Sequence, residues 1–306
     1  MNKNAVPKPI LKWVGGKTQI LNKLLSTFPK EMQNYHEVFL GGGSVLLALL
    51  TYQKKGLIKI KGKVYASDLN EVLIGVYKNI QSNHIELYNQ IQVLITKYSS
   101  CGDGEINRQP ATEQEALIAK ENYYYWIRTR YNSLTNSEKV SVKGSAMFVF
   151  LNKTCFRGLF REGPRGFNVP YGNYKNPEVI NREHLEEVHT LIQNVIFTAC
   201  DFVDSLANVR DNDFVYLDPP YAPENAKSFV GYTAGGFDIE KHKSLFEIIN
   251  KLAVQQKKVM LSNADVELVR SSFVAEHFTR ETILCKRAIN SKNPESKTNE
   301  VLIFNY

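Results

Sequence analysis

The chain has 306 residues, a formal net charge of +7 and a hydrophobic share of 43%, which suits one large domain or a domain with a sizeable insertion. No apolar run is long enough to span a membrane, and the first nine residues lack the apolar segment of a signal peptide. The four cysteines and six histidines show no metal-ligand spacing, so we expect free thiols, a cytoplasmic location and no metal. The positive charge suits a polyanionic partner but does not prove one.

The first motif is Leu11-Lys-Trp-Val-Gly-Gly-Lys-Thr18, and the pattern after it predicts a helix from Ile20. A P-loop needs glycine where Leu11 stands, so we exclude an NTPase. The glycine turn at a helix start favours an anionic group, and Lys17 adds to the attraction. Trp13 offers an aromatic face for a purine or a sulfonium, although a tryptophan of the core explains it equally well.

The next segment predicts the first half of a Rossmann-type cofactor site. A strand over Tyr35–Leu40 leads into a glycine-rich turn and an apolar helix, and a second strand ends in Asp68. Gly41 and Gly43 in the turn permit close backbone approach to a ligand, and Asp68 is placed to bind ribose hydroxyls. The spacing of NAD enzymes is absent because Leu46 stands at the third glycine position. These features predict a nucleoside cofactor without a pyrophosphate, which S-adenosylmethionine fits.

The alternation of strands and helices stops between residues 84 and 190, which indicates an inserted and mostly helical domain. A capping box at Thr112-Glu-Gln-Glu115 predicts a helix that runs toward Tyr131. Tyr123-Tyr-Tyr-Trp126 lies inside this helix and is interpreted as packing. Residues 145–151 form a buried helix or a buried strand, which periodicity does not separate.

A basic segment follows in the same region. Between residues 139 and 175, seven Lys or Arg residues stand against one acid, Glu162. Aromatic residues and glycine turns are interleaved with these charges, a pattern typical of a hairpin that meets nucleic acid. A solvated basic loop is the alternative interpretation.

The carboxyl half is organised around Asp218-Pro219-Pro220-Tyr221, which directly follows the apolar stretch 214–217. The stretch predicts a buried strand of a parallel sheet, and the prolines force a stiff loop at its carboxyl end, where ligands of open α/β sheets bind. The Asp218 carboxylate and the Pro219 carbonyl can accept hydrogen bonds from a planar amine, and Tyr221 can stack on its ring. The motif predicts a site for an amino-substituted heterocycle such as adenine, with a plain turn as the alternative.

Other segments of this half add candidates. A strand over Val195–Ala199 precedes Asp201, which can accept from a purine amino group or cap the next helix, and Phe202, which can cover a purine ring. A loop containing Phe229–Tyr232 and Phe237 is interpreted as a flexible wall of the same pocket. The remaining predicted elements are a helix through Leu252, a strand at Lys258–Leu261, and an antiparallel end hairpin of 283–288 with 300–305.

Read together, these motifs resemble the DNA adenine-N6 methyltransferases of the Dam (D12-class) family over nearly the whole chain. The segments that carry the resemblance are, in order, Leu-Lys-Trp-x-Gly-Gly-Lys, Glu-x-Phe-x-Gly-x-Gly-Ser, Asp-x-Asn, Asn-Lys-Thr-Cys-Phe, Phe-Asn-Val-Pro-Tyr-Gly, Asp-Pro-Pro-Tyr, Ser-Asn-x-Asp and a final hairpin with Arg287. The resemblance implies an α/β fold with a Rossmann-like S-adenosylmethionine-dependent methyltransferase sheet. Residues 1–83 and 191–306 would form this catalytic domain, and residues 84–190 an inserted, mostly helical target-recognition domain.

The implied reaction moves the methyl group of S-adenosylmethionine to N6 of an adenine flipped out of double-stranded DNA. The implied catalytic residues are Asp218, Pro219, Pro220 and Tyr221. The implied cofactor residues are Trp13, Lys17, Glu37, Phe39, Asp68, Asp201, Phe202 and Asp218, to which the glycine turn adds Gly41 and Gly43. The implied DNA-binding residues are Lys12, Leu159, Arg161, Pro170 and Tyr174, with Phe156 as the intercalating aromatic and Arg157 beside it.

The chain departs from the family pattern at three places. Val38 replaces a proline, Arg157 stands where many members have asparagine, and the segment 162–165 differs from the common hairpin tip. These changes leave catalysis unaffected and put the target sequence in doubt, although a GATC-like site is favoured. We expect a monomer that binds neither a metal nor a membrane.

Three rival functions differ in class. Cytosine-N4 methyltransferases have similar loops but usually carry serine where Asp218 stands, which favours adenine. A non-catalytic DNA-binding module would keep the basic hairpin and has no need of the cofactor motifs. An RNA methyltransferase stays open, because a loop that binds an aminopurine does not itself select DNA.

Overall fold

The computed structural model describes residues 6–223, 236–286 and 297–306. The helices in these ranges are α1 (Leu21–Thr27), α2 (Ser44–Lys54), α3 (Glu71–Ser99), α4 (Glu113–Leu117), α5 (Lys120–Asn132), α6 (Asn136–Lys139), α7 (Val142–Thr154), α8 (Arg182–Leu191), α9 (Phe202–Leu206), α10 (Ile239–Val254) and α11 (Glu267–Ser272). The strands are β1 (Glu31–Met32), β2 (Tyr35–Glu37), β3 (Lys59–Ile60), β4 (Val64–Asp68), β5 (Glu162–Gly163), β6 (Gly166–Phe167), β7 (Val195–Ala199), β8 (Phe214–Leu217), β9 (Lys258–Ala264), β10 (Thr279–Lys286) and β11 (Lys297–Phe304).

The central sheet has seven strands in the order β10-β11-β9-β8-β2-β4-β7. All neighbours from β9 to β7 are parallel, whereas β11 runs antiparallel to both β9 and β10. The first strand of this sheet in the chain, β2, pairs with β4 on one side and with β8 on the other. The strand order therefore reverses between β2 and β8, which is where open α/β sheets bind ligands. The predicted α/β class and the antiparallel end pair are confirmed.

Strand β8 forms because its four residues are buried on both faces. Phe214, Val215, Tyr216 and Leu217 are each at most 1% exposed, as expected for a strand between two parallel neighbours. The acid that precedes them, Asp213, is also buried but is fully paired. It accepts hydrogen bonds from Asn34 Nδ2 at 2.8 Å and from the backbone N–H of Arg210 at 2.9 Å, and His36 Nε2 lies 2.9 Å from it. These bonds tie the start of β8 to β2.

The chain divides into two compact units. The sheet unit comprises residues 17–40, 52–69 and 194–306, and it contains the whole central sheet. Its core lies between β8, β9 and β11 on one side and α10 on the other, with Leu245, Phe246 and Ile249 of α10 fully buried. The helical unit comprises residues 1–16, 41–51 and 70–193, and α3, α5 and α7 pack together in it.

In the helical unit, α3 runs through residue 84, and its one non-helical residue is Asn83, at φ −138° and ψ 30°. The stretch 145–151, which periodicity leaves undecided, is part of helix α7. Ser141 accepts a hydrogen bond from the Gly144 N–H at 3.2 Å and so caps that helix. The assignment of residues 84–190 to target recognition stays a prediction.

The predicted continuous helix from Thr112 toward Tyr131 is wrong in one respect. Thr112 does cap a helix start, but Ala119 takes extended angles of φ −150° and ψ 151°, which separates α4 from α5. The cause is a nearby loop: the N–H groups of Gly102 and Gly104 donate to carbonyls at the end of α4, and Ala119 forms a bridge with Asp103. The tyrosines 123–125 are buried, as the packing interpretation predicts.

Two further observations concern the described ranges alone. None of their helices combines the length and the apolar character needed to cross a bilayer. They also hold no group of three or more His, Cys, Asp or Glu side chains arranged to bind a metal ion.

Candidate active site

The segment Asp218–Tyr221, called the proline corner below, leaves the carboxyl end of β8 at the point where the strand order reverses. Pro219 and Pro220 carry no N–H, so the chain cannot continue the β-ladder and turns away from the sheet. The Asp218 side chain is 17% exposed and Pro220 is exposed, which leaves the corner accessible from one side. The corner is therefore placed to meet a ligand at the sheet edge, as the sequence predicts.

Lys17 reaches the proline corner across 204 positions of sequence. Its Nζ lies 2.8 Å from Asp218 Oδ1 and donates to the Tyr221 hydroxyl, also at 2.8 Å. The lysine is only 4% exposed, and its ammonium lies 4.8 Å from the centre of the Tyr221 ring. One buried cation thus holds both the acid and the phenol of the corner.

Burial shifts the pKa values of both the acid and the phenol of the proline corner. It raises the pKa of the Asp218 carboxyl above its ordinary value, and the Lys17 ammonium opposes that rise. Burial also raises the pKa of the Tyr221 hydroxyl, and the nearby Asp218 raises it further. Tyr221 is therefore a neutral hydroxyl across the physiological range, whereas the charge of Asp218 depends on its lysine.

The neighbouring strands deliver further candidates to the same sheet edge. Glu37 ends β2 and is 2% exposed, and the Tyr35 hydroxyl donates to its Oε2 at 2.7 Å. Asp68 ends β4 and is half-buried. Asp201 follows β7 and accepts from the Val203 N–H at 3.0 Å, so the helix-cap interpretation of Asp201 holds.

Three phenylalanines form an aromatic cluster in the sheet unit. The Phe39 and Phe202 rings stack with centroids 6.1 Å apart, and Phe237 lies 5.6 Å from each of them. Phe237, which the sequence predicts in a pocket wall, contacts two of the implied cofactor residues. The other residues of that predicted wall, 229–232, and Arg287 of the final hairpin lie outside the described residues.

In the helical unit, Trp13 packs on the glycine turn. A side chain at Gly42 would have its Cβ 2.9 Å from Trp13 Cβ, and one at Gly41, whose φ is +50°, would lie 3.1 Å from Trp13 Cδ1. The indole also stacks on Phe160, with ring centroids 5.4 Å apart. Trp13 therefore leaves no room for a side chain at Gly42 and little room at Gly41, which the sequence did not reveal, while part of the indole stays exposed.

Several implied DNA-binding residues meet in the helical unit. Lys12 is fixed by the buried Asn152, which accepts from the Lys12 N–H and donates to its carbonyl, both at 2.8 Å. The Lys12 ammonium lies 4.4 Å from the centre of the Tyr174 ring. The Tyr174 hydroxyl in turn accepts from the N–H of Arg157 at 2.8 Å. In the sequence, Asn152 stands out only as part of the Asn-Lys-Thr-Cys-Phe motif, and no pattern there indicates that it fixes Lys12.

Phe156 and Arg157 lie in the short 3-10 turn that follows α7. Phe156 is 44% exposed, although its backbone N–H is held by the Pro170 carbonyl at 2.8 Å. Arg157 has φ +57°, a left-handed angle uncommon for this residue type, and its guanidinium lies 5.2 Å from the Phe156 ring. An exposed aromatic on a fixed backbone is suited to insertion between bases.

Arg161 immediately precedes β5 of the short β5–β6 hairpin, and its Nε donates to Asn168 Oδ1 at 2.6 Å. Leu159 lies between the turn at Phe156 and Arg157 and this hairpin, and it is half-buried. A short β-hairpin therefore lies within the predicted basic segment, with Arg161 oriented by a partner from the second half of the same loop, and its contact with nucleic acid stays a prediction.

The sequence of the chain matches known proteins over almost its whole length. The model of the D12 class N6 adenine-specific DNA methyltransferase family matches residues 13–288. The type II methyltransferase M.MjaIII of Methanocaldococcus jannaschii is 37% identical over 98% of this chain and 99% of its own length. The Retron Ec67 DNA adenine methylase of Escherichia coli is 31% identical over 94% and 88%, and the DNA adenine methylase of Escherichia coli K12 is 28% identical over 100% and 96%.

Proposed function

Because the chain belongs to the D12 class of N6 adenine-specific DNA methyltransferases, we propose that its proline corner binds the amino group of the target adenine. The enzyme methylates N6 of adenine in DNA. We propose further that it acts as a monomer, on double-stranded DNA, with S-adenosylmethionine as the methyl donor. The observation that carries the proposal is the Lys17–Asp218 pair at 2.8 Å, at the sheet edge where the strand order reverses.

The adenine amine is a poor nucleophile because its lone pair is delocalised into the ring. The ionised Asp218 and the Pro219 carbonyl can each accept one N6 hydrogen, which favours a tetrahedral nitrogen with its lone pair free. Forming the bond between N6 and the methyl carbon, with cleavage of the sulfonium C–S bond and departure of the neutral thioether, would make the amine acidic, and the Asp218 carboxylate could take its proton. The corner is rigid, so the pair of acceptors is positioned before the base arrives.

Lys17 and Tyr221 complete the site. Lys17 favours the ionised form of Asp218, because its ammonium opposes the rise in pKa that burial causes. Tyr221 stacks on the adenine, which must first leave the duplex at a cost of about a few kcal/mol. Its hydroxyl is held by Lys17 at 2.8 Å, so the same cation orients the ring and the acid.

The residues at the sheet edge fit S-adenosylmethionine, which supplies a methyl group on a sulfonium. The half-buried Asp68 can bind ribose hydroxyls, and the Phe39–Phe202 pair can cover an adenine ring. Glu37 and Asp201 supply carboxylates for the polar groups of the cofactor. Trp13, Gly41 and Gly43 belong to the helical unit and are proposed cofactor contacts from residue type and family resemblance.

For DNA, we assign reading of the target to Lys12, Leu159, Arg161, Pro170 and Tyr174, and insertion to Phe156, with Arg157 beside it. Arginine can fork onto the edge of a guanine, which gives Arg161 the strongest potential for sequence discrimination. A GATC-like site is the proposed target. Long-read sequencing of DNA from cells that express the protein would identify the methylated site.

The proposed reaction is tested by incubating the purified chain with unmethylated DNA and methyl-labelled S-adenosylmethionine, followed by nucleoside analysis. The expected label is in N6-methyladenine. Label in N4-methylcytosine, or in no base, would overturn the proposal. Calorimetric titration with S-adenosylmethionine separates the last outcome from a DNA-binding module, which would take up no cofactor.

A further inference from the structure

The backbone on the two sides of Tyr221 is held by two buried side chains to which the proposed reaction assigns no role. The carbonyl before Tyr221, that of Pro220, lies 2.9 Å from Nε2 of His242. The N–H after it, that of Ala222, donates to Oδ1 of Asn263 at 2.9 Å. His242 and Asn263 are both 0% exposed.

These contacts come from two different elements of the sheet unit. His242 lies in the first turns of α10, and Asn263 lies near the carboxyl end of β9, on the face of the sheet that packs against α10. Ala222 is buried in that same core. The side chain of Tyr221 is turned toward Lys17 instead. The tyrosine is therefore fastened through its backbone on one side while its ring is presented to the site.

Such fastening is needed because the prolines remove the usual means of holding a backbone. A strand is fixed by its ladder of N–H donors, and Pro219 and Pro220 have none. Side chains are then the remaining partners for the peptide groups of the corner. A buried hydrogen bond from a rigid helix and another from a rigid strand set the two peptide planes that flank Tyr221.

Each of the two contacts depends on one particular hydrogen-bonding atom of the side chain. Both nitrogens of the His242 ring face carbonyl oxygens, Pro220 O at 2.9 Å and Asp238 O at 2.8 Å, so the bond to Pro220 requires a proton on Nε2. Asn263 Oδ1 also accepts from the Ala264 N–H at 2.8 Å, which fixes its amide plane. The Nδ2 atom of Asn263 is buried without a partner among the described residues, so its acceptor oxygen is the atom in use.

We propose that His242 and Asn263 are positioning residues for methyl transfer, which act by aiming the Tyr221 ring and the adjoining Pro219 carbonyl at the target adenine. This inference rests on the proposed role of the proline corner. His242 also touches Phe237 edge-on, with ring centroids 4.6 Å apart, and Phe237 contacts Phe39 and Phe202. The same histidine thus joins the corner to the aromatic cluster assigned to the cofactor.

The test compares variants of the full chain in single-turnover methylation, together with their affinities for DNA and S-adenosylmethionine and their melting temperatures. His242→Leu removes the donor to Pro220, and His242→Gln keeps an N–H donor. Asn263→Leu removes the acceptor for Ala222, and Asn263→Asp keeps it. Asn250→Leu is the control, because Asn250 makes half-buried hydrogen bonds from the same helix to the carbonyls of Phe246 and Ser272, away from the corner.

We expect both leucine variants to lower the single-turnover rate about 10- to 100-fold, because misplacing a reacting group by about 1 Å costs that much. Their affinities should change less than about twofold, and His242→Gln and Asn263→Asp should recover most of the rate. Asn250→Leu should lower the melting temperature and leave the rate intact.

A leucine variant that is folded and methylates at the wild-type rate would overturn the inference, as would a rate loss that the conservative variants do not recover. If His242→Leu does not fold, Asn263→Ala, which only removes atoms, takes its place under the same criteria. If the wild type itself yields no N6-methyladenine, the proposed function fails. If the wild type methylates and all variants match it, only the positioning role fails.

Discussion

The ammonium of Lys17 and the carboxylate of Asp218 form a buried ion pair at 2.8 Å, and the same ammonium binds the Tyr221 hydroxyl at 2.8 Å. Burial alone would favour the neutral acid, which accepts hydrogen bonds poorly. The lysine therefore favours the ionised, accepting form of the corner.

Lys17→Met should shift the pH dependence of methyl transfer. The pKa of Asp218 is already raised by burial and is held down by Lys17, so loss of the lysine raises it further. Because the ionised acid is the active form, the acid limb of the single-turnover pH profile should move to higher pH and the rate at neutral pH should fall. Lys243→Met, at an exposed lysine of α10, is the control. An unshifted acid limb would show that Lys17 does not govern Asp218.

Lys153→Met should stabilise the protein at neutral pH. Burial, together with the like charge of Lys12, lowers the pKa of Lys153 from 10.5 to about 8. The unfolded chain therefore binds more protons than the folded chain between about pH 8 and pH 10.5, so wild-type stability should rise with pH across that window. The burial penalty at pH 7 amounts to roughly 3 kcal/mol at most.

Urea unfolding at pH 7 and pH 9.5 measures this effect. Wild type should gain roughly 2 kcal/mol of unfolding free energy from this group between the two pH values, and Lys153→Met should not show that gain. Lys143→Met, at an exposed lysine of the same helix, should behave like wild type. Equal pH dependence in Lys153→Met and wild type would contradict the prediction.

Arg161→Ala should relax sequence preference more than it lowers activity. The guanidinium is oriented by Asn168, and a bidentate contact to a base is worth about 1–3 kcal/mol of discrimination. We expect that, at one position of the site, DNA with a changed base pair is methylated with a kcat/KM close to the value for the preferred site. Arg165→Ala, at the exposed tip of the hairpin, is the comparison. Unchanged preference in Arg161→Ala would exclude a role in base reading.

The parts of the fold that the sequence predicts are those with a local signal. Strand β8 and the proline corner follow from an apolar run and two prolines, and the buried tetrad 214–217 confirms them. Helix α7 is ambiguous by periodicity because nearly all its residues are buried. The break at Ala119 is invisible because it depends on a loop that pairs its backbone with the end of α4.

The supports of the candidate site lie beyond the sequence for a related reason. His242 and Asn263 bind backbone atoms that lie 22 and 41 positions away. Because every residue type has a backbone, the types of the partner residues do not indicate these bonds. Asn263 stands in a motif, but its strand alone does not show what its amide contacts. The sequence predicts the acid and the phenol of the corner, whereas the side chains that hold the corner can be identified only in the folded chain.

The role of Asp218 is tested most directly by Asp218→Asn, which keeps the shape of the side chain and removes its charge. We predict a folded protein that still binds DNA and S-adenosylmethionine, with N6-methyladenine formation in single turnover reduced by about 100- to 1000-fold, as for loss of other preorganised groups that stabilise a transition state. Nucleoside analysis of the incubated DNA, with melting temperature as the control for folding, gives the answer. Methylation by Asp218→Asn at the wild-type rate would contradict the account.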